Sequence, residues 1–303
     1  MKDQRFIGTG VAIITPFRNN EIDYQSFGNI IDYVIHGGVN FIVALGSTGE
    51  AATLSVDEER EVLDFCIRHI NNRVPLVAGN FGGNNTHALV HKLKTYNFDG
   101  IAAVLSASPA YVKPTQEGIF QHYKAMADVS PVPIILYNVP GRTHSNMTWE
   151  TTVRLAEYSR VFVGIKEASG DLIQSINIIK HKPEHFIVTS GDDYVALPMV
   201  LTGCDGVISV IANALPKAFS QMINFGLDRD VFAANQLNMK TYDLHKWLYT
   251  EGNPVGIKAA MEILGLCSKE VRLPLFPMST TNYSMMEKEI ASLKKELSIQ
   301  VLP

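Results

Sequence analysis

The chain has 303 residues, a length that accommodates either two average domains or one large α/β barrel. Hydrophobic residues make up 46% and charged residues 18%, the balance of a globular protein with a sizeable core. A formal net charge of −4 offers no electrostatic case for nucleic acid or an anionic membrane surface, so neither is expected as a partner.

Met1–Arg5 leads into no sustained apolar run, so no secretion signal is expected. No uncharged apolar stretch reaches the roughly 18 residues of a membrane span. Cys66, Cys204 and Cys267 lie far apart, without CxxC or metal-ligand spacing, and read as reduced core thiols of a cytoplasmic protein.

Short apolar, β-branched runs alternate with amphipathic helical patterns along the chain. Strands are expected at Val11–Ile14, Phe41–Leu45, Leu76–Ala78, Ile101–Leu105, Ile134–Tyr137, Phe162–Lys166, Phe186–Thr189 and Val207–Val210. Between them, Asp23 precedes the apolar spacing Phe27, Ile30, Ile31, Val34, and Ser55 opens a capping box with Glu58. Thr115 and Thr148 start two further helices. Near-continuous apolar strands separated by helices imply a parallel sheet covered by helices. Eight such units point to a closed (β/α)8 TIM barrel; the alternative, a doubly wound open sheet, lacks a Gly-rich turn after the first strand. Strand signals stop near Gly226. Val231–Leu248, Gly256–Leu264 and Met285–Leu297 read as helices, so the organisation is a catalytic barrel over 1–226 and a C-terminal helical domain over 227–303.

In such a barrel, chemistry sits where strands end. Lys166 closes the run Val161–Ile165, just before Glu167-Ala168-Ser169-Gly170. A lysine at the exit of a buried strand sheds hydration, which favours the neutral amine that attacks a carbonyl to form a Schiff base. The second strand ends in Gly46-Ser47-Thr48-Gly49-Glu50, a hydroxyl-rich turn suited to a carboxylate, with Glu50 as a brace. The fifth ends in Tyr137, adjacent to Lys166 in the barrel and able to relay protons, followed by Arg142, a bidentate carboxylate ligand. The loop Ser108–Pro114 presents Tyr111, the seventh strand ends in Ser190-Gly191-Asp192-Asp193, and the eighth carries Gly206–Val210. Singly, each also fits an ordinary turn, a packed core tyrosine or a surface arginine. Competing features are thinner. His87 and His91 share a helix face but lack a third metal ligand, Gly82-Gly83-Asn84-Asn85 is followed by no GK[ST], and there is no GxSxG elbow.

From about residue 7 to about 277, the ordered set GSTGE (46–50), SPAYVKP (108–114), YNVPGRT (137–143), GIKEASGD (164–171), SGDD (190–193), GVISV (206–210), NP-GIK (253–258) and RLPLFP (272–277) resembles the dihydrodipicolinate synthase/N-acetylneuraminate lyase family. The resemblance implies a (β/α)8 barrel with a C-terminal helical extension and a Schiff base between Lys166 and pyruvate. Tyr137 is implied as the central proton relay, with Ser47 as its hydroxyl partner where most synthases carry Thr, and Thr48 as ligand to the pyruvate carboxylate. Tyr111 would complete the relay from a neighbouring subunit, making a homodimer the minimal unit, alone or within a homotetramer. Arg142 would hold the carboxylate of aspartate semialdehyde, and the Ile208 backbone carbonyl would line the site. No metal and no organic cofactor are implied.

The implied activity is aldol condensation of pyruvate with L-aspartate 4-semialdehyde, in lysine and diaminopimelate biosynthesis. A sugar-acid lyase of the same family and a catalytically silent barrel are the alternatives. Arg142 favours the synthase branch, since losing a charged hydrogen bond forfeits roughly 1.5–3 kcal/mol. His144 departs from the small residue common in synthases and bears on substrate preference. Ala51, Val56, Glu59, Ala88 and Ala110 occupy the positions where lysine-inhibited synthases carry polar or aromatic residues, and Asn84 alone is kept. Feedback by lysine is therefore expected to be weak or absent.

Overall fold

The computed structural model describes residues 1–297 and Ile299. Eight parallel strands close into a barrel: β1 (Gly8–Ala12), β2 (Phe41–Ala44), β3 (Leu76–Ala78), β4 (Ala103–Ala107), β5 (Ile134–Asn138), β6 (Phe162–Glu167), β7 (Ile187–Ser190) and β8 (Gly206–Ser209). Successive strands pair, and β8 returns to β1 with Gly206 opposite Gly8. Around them run α1 (Tyr24–His36), α2 (Val56–Ile70), α3 (Thr86–Thr95), α4 (Gln116–Ala127), α5 (Trp149–Tyr158), α6 (Leu172–His181), α7 (Ala196–Thr202) and α8 (Pro216–Leu227). This is the (β/α)8 barrel that the alternation implies.

The helix starts follow from their caps. Asp23, Thr115 and Thr148 each accept a free backbone N–H of the first turn, and Ser55 and Glu58 satisfy each other's reciprocally. Strand β1 differs from the sequence expectation. It begins at Gly8, because Gly10 lies where a Cβ would meet the Phe41 ring at 2.3 Å. Close approach, which only glycine permits here, outweighs the low strand propensity of Gly8-Thr9-Gly10.

Alternation then builds two cores. Phe41, Val43, Val77, Ala103, Leu105, Ile135 and Ile208 fill the barrel interior. Ile42, Ala44, Ala78, Val104, Ile134 and Leu136 face the helices. Phe6 closes the bottom of the barrel edge-on to Phe41, at 5.7 Å.

Strand β6 breaks the alternation. Ile134 pairs with Phe162 but Ile135 pairs with Gly164, so Val163 is an extra residue, a β-bulge. Gly164 fits there because a Cβ would sit 2.6 Å from the Ile187 carbonyl oxygen. One inserted residue moves every later side chain to the opposite face. Lys166 consequently faces inward opposite Tyr137, and Glu167 faces the helix layer.

Beyond the barrel lie α9 (Val231–Tyr249), α10 (Val255–Leu264) and α11 (Thr280–Leu297). The last begins at Thr280 rather than Met285, since the Glu251 carboxylate accepts both the backbone N–H and the hydroxyl of Ser279 at its start. All three cysteines are buried and free. Among the described residues, no helix is long and apolar enough to cross a membrane.

Candidate active site

At the C-terminal ends of the strands opens a cleft of about 520 Å³. Ser47, Thr48, Tyr137, Arg142 and Lys166 all line it, although they come from three separate stretches of chain.

Lys166 is only 5% exposed, and its Nζ lies 4.5 Å from the centre of the Tyr137 ring. The amine is therefore held over an aromatic face within a walled site. Gly191 makes room for it: a Cβ there would approach the Lys166 side chain to 2.9 Å. Behind this pair, the Glu167 carboxylate accepts hydrogen bonds from Asn138 Nδ2, the Ser169 N–H and Gln174 Nε2, at 2.8–3.2 Å. Burial pushes the Glu167 carboxyl above its ordinary value, and these donors pull the other way. Asn138 and Glu167 directly follow Tyr137 and Lys166, so the network fixes both functional side chains through the backbone.

The Ser47–Thr48 turn forms the opposite wall. Leu45 and Glu50 adopt left-handed backbone conformations, with φ of 59° and 54°, which leucine and glutamate rarely do. Thr15 donates to the Gly49 carbonyl at 2.7 Å, and Thr48 Oγ1 accepts a hydrogen bond from Asn253 Nδ2 at 2.9 Å. Arg142 stands on the rim, on a one-turn helix opened by Pro140, and donates to the Asn253 carbonyl at 3.0 Å. Asn253 thus touches both the hydroxyl turn and the arginine.

Sequence reasoning reached the third wall at Gly191-Asp192 and, through the resemblance, at Asn253, but missed Tyr194, Tyr249 and Gly252. Asp192 and Tyr194 follow β7, Tyr249 ends α9, and Gly252 and Asn253 come from the α9–α10 connection. Burial, with repulsion from Asp193, raises the Asp192 carboxyl, and burial lifts the Tyr249 phenol well above its usual range. Tyr249 follows an amphipathic helical run with no strand-end signal, so nothing local marked it as a cleft residue.

Two anticipated residues are absent from the lining of this cleft. Tyr111 is 89% exposed and does not line the cleft of a single chain; its loop is tied to the arginine turn by the Tyr111 N–H donating to the Thr143 carbonyl. Ile208 packs into the barrel interior with Phe6 and Phe41, and Val210 is the β8-end residue that borders the cleft. Ile208 lies inside β8, whereas Val210 follows the strand's last residue, Ser209, at the cleft end of the barrel. His87 and His91 lie on α3, and among the described residues no group of three or more His, Cys, Asp or Glu is placed to hold a metal ion.

A (β/α)8 barrel whose strand ends gather a buried lysine, a tyrosine, two hydroxyls and an arginine has the equipment for amine–carbonyl chemistry on an acidic substrate. Residues 5–293 match the dihydrodipicolinate synthetase family, and the chain belongs to that family. It is 51% identical over 273 residues to 4-hydroxy-tetrahydrodipicolinate synthase of Flavobacterium psychrophilum, covering 90% of this chain and 93% of the relative. Dihydrodipicolinate synthase from Thermotoga maritima superposes with a TM-score of 0.93 at 34% identity, covering 96% of this chain and 99% of that one. The chloride-inhibited synthase of Acinetobacter baumannii, complexed with pyruvate, gives 0.90 at 40% identity, covering 95% and 98%.

Proposed function

We propose that this chain condenses pyruvate with L-aspartate 4-semialdehyde in an aldol-type reaction, the 4-hydroxy-tetrahydrodipicolinate synthase step of lysine and diaminopimelate biosynthesis. The observation that carries the reading is the buried Lys166 amine over Tyr137, with Arg142 on the rim of the same cleft. The names of its relatives agree.

Lys166 attacks the pyruvate ketone and water leaves, giving the imine, while Ser47, Thr48 and the turn's N–H groups hold the carboxylate. Loss of a proton from the methyl carbon gives the enamine, with Tyr137 and Ser47 carrying protons. The enamine carbon attacks the aldehyde, whose carboxylate pairs with Arg142. Attack by the semialdehyde's own amine then displaces Lys166 and closes the ring. Lysine chemistry supplies the electron sink, so no organic cofactor or metal enters the scheme.

Tyr111 and Val112 are exposed together on the rim, which supports a second copy covering that edge and Tyr111 serving the neighbour's relay. A homodimer is the minimal active assembly on this reading and a homotetramer its doubling; light scattering distinguishes them. The free, buried cysteines support a cytoplasmic location.

Lysine feedback is weak or absent on the same reading. Asn84 already accepts the Ala110 N–H at 2.9 Å, and Glu59 is engaged by Asn80 at 2.8 Å. Half-inhibition at sub-millimolar lysine would refute this.

The direct test of the function is steady-state turnover of pyruvate with the semialdehyde, coupled to a reductase that consumes the product. N-acetylmannosamine with pyruvate is the control. Turnover with the amino sugar alone would transfer the chain to the sugar-acid branch.

A further inference from the structure

Glu50 ends the hydroxyl turn in the left-handed region, at φ 54° and ψ 30°. That conformation is unfavourable for a glutamate, and contacts from outside the turn offset its cost. The holder is α10. The Glu50 side chain is fully buried and forms an ion pair with the equally buried Lys258. Its other carboxylate oxygen accepts the Arg272 backbone N–H at 3.1 Å. Lys258 in turn donates to the Glu270 carbonyl at 2.8 Å and lies 3.9 Å from the centre of the Phe17 ring. Just ahead of the same helix, Asn253 donates to Thr48 at 2.9 Å. The turn is therefore tied to one helix at two points, on either side of Gly49.

A buried ion pair is a poor source of net stability, because desolvating both charges offsets their attraction. It is a good source of position, since any slip between turn and helix leaves a charge buried alone. Neither Glu50 nor Lys258 reaches the cleft, whereas Ser47 and Thr48 do.

We propose that Glu50 and Lys258 are positioning residues, through which α10 sets the Ser47–Thr48 turn at the distance from Lys166 that a pyruvate carboxylate requires. This rests on the pyruvate reading above. Through this ion pair α10 then acts on the first substrate and not on the second, although it lies outside the barrel.

The test uses the full-length chain as Glu50→Gln, which keeps the shape and removes the charge, and as Glu50→Gln/Lys258→Met, which leaves no lone buried charge. Borohydride trapping of the pyruvate adduct is titrated against pyruvate, alongside KM for each substrate and the melting temperature. In both variants the half-saturating pyruvate concentration rises about tenfold. The semialdehyde KM and the fraction trapped at saturating pyruvate stay within about twofold of wild type. The double variant recovers melting temperature while its pyruvate affinity stays weak. A double variant with wild-type pyruvate affinity would overturn the proposal, as would a fall in melting temperature with both KM values unchanged, or a rise in both KM values together. Wild type that traps no pyruvate would overturn the function reading and this proposal with it, whereas a normal wild-type adduct with unshifted variants defeats the proposal alone.

Discussion

The two walls of the cleft are built on opposite principles. On the lysine wall, Tyr137 and Lys166 are held by a network local to β5, β6 and α6, whose members Asn138 and Glu167 are 29 residues apart. On the hydroxyl wall, Thr48 is held by Asn253, 205 positions away, and Glu50, at the end of the same turn, by the Arg272 N–H, 222 positions away. The first wall uses amide donors around one carboxylate in the helix layer. The second uses charge, with an ion pair buried between turn and helix. A locally braced wall suits the residue that does covalent chemistry, because its geometry is set as the strands pair. A remotely braced wall forms only once the C-terminal helices have packed.

The largest break in this comparison is Lys166→Ala, which removes the nucleophile while leaving its support intact. Turnover falls at least about 10³-fold, and pyruvate-dependent borohydride labelling disappears. A label that persists elsewhere would move the chemistry off this wall. Arg142→Ala comes next. It removes a charged hydrogen bond worth roughly 1.5–3 kcal/mol, so kcat/KM for the semialdehyde drops by about 10- to 150-fold. Pyruvate trapping is unchanged, which separates the rim from both walls.

Glu167→Gln sharpens the comparison from the supporting side. The variant keeps one acceptor oxygen but turns an NH2 group toward two of the donors, and it loses about 1–3 kcal/mol of stability near neutral pH. The sign with pH follows from burial, which raises the Glu167 carboxyl in the folded state. Wild-type stability from this group is complete below the ordinary carboxylate value and declines as pH rises through the raised one. Thermal melts across that range should show the decline in wild type and its absence in the variant.

Glu58 behaves in the opposite way. Its carboxylate accepts both Arg272 amino groups at 2.6 and 2.9 Å, which with the Ser55 N–H brings its pKa down to about 2. The stability from this partly exposed pair is present above about pH 4.5 and is lost as pH falls toward 2. Glu58→Gln therefore costs up to about 1 kcal/mol near neutral pH and blunts that acid-side loss in a pH-dependent melt. A larger cost would mean that the hydroxyl wall depends on this surface pair more than on the buried one.

Much of the molecule is legible in the residues alone. Eight apolar runs, spaced by helices with Asp, Ser or Thr caps, require a parallel barrel, since period and capping are local properties. Strand ends then locate Lys166, Tyr137, Ser47, Thr48 and Arg142 without any coordinates. The C-terminal helix was legible as well, but its start was not, because Glu251 caps it from a separate segment.

What pattern could not supply is whatever depends on register and long-range closure. An uninterrupted alternation from Phe162 would turn Lys166 toward the helices, and only the bulge at Val163 turns it inward to Tyr137. Ile208 points into the barrel from within β8, whereas Val210, just past the strand's end, borders the cleft, and only the point at which the strand stops separates them. Asn253, Lys258 and Arg272 carry no strand-end signal, yet they hold the turn at Ser47. Sequence determines the elements and the chemistry at their ends because both are short-range. Tertiary structure decides which of those ends meet, because one inserted residue or one buried charge pair changes the answer over hundreds of positions.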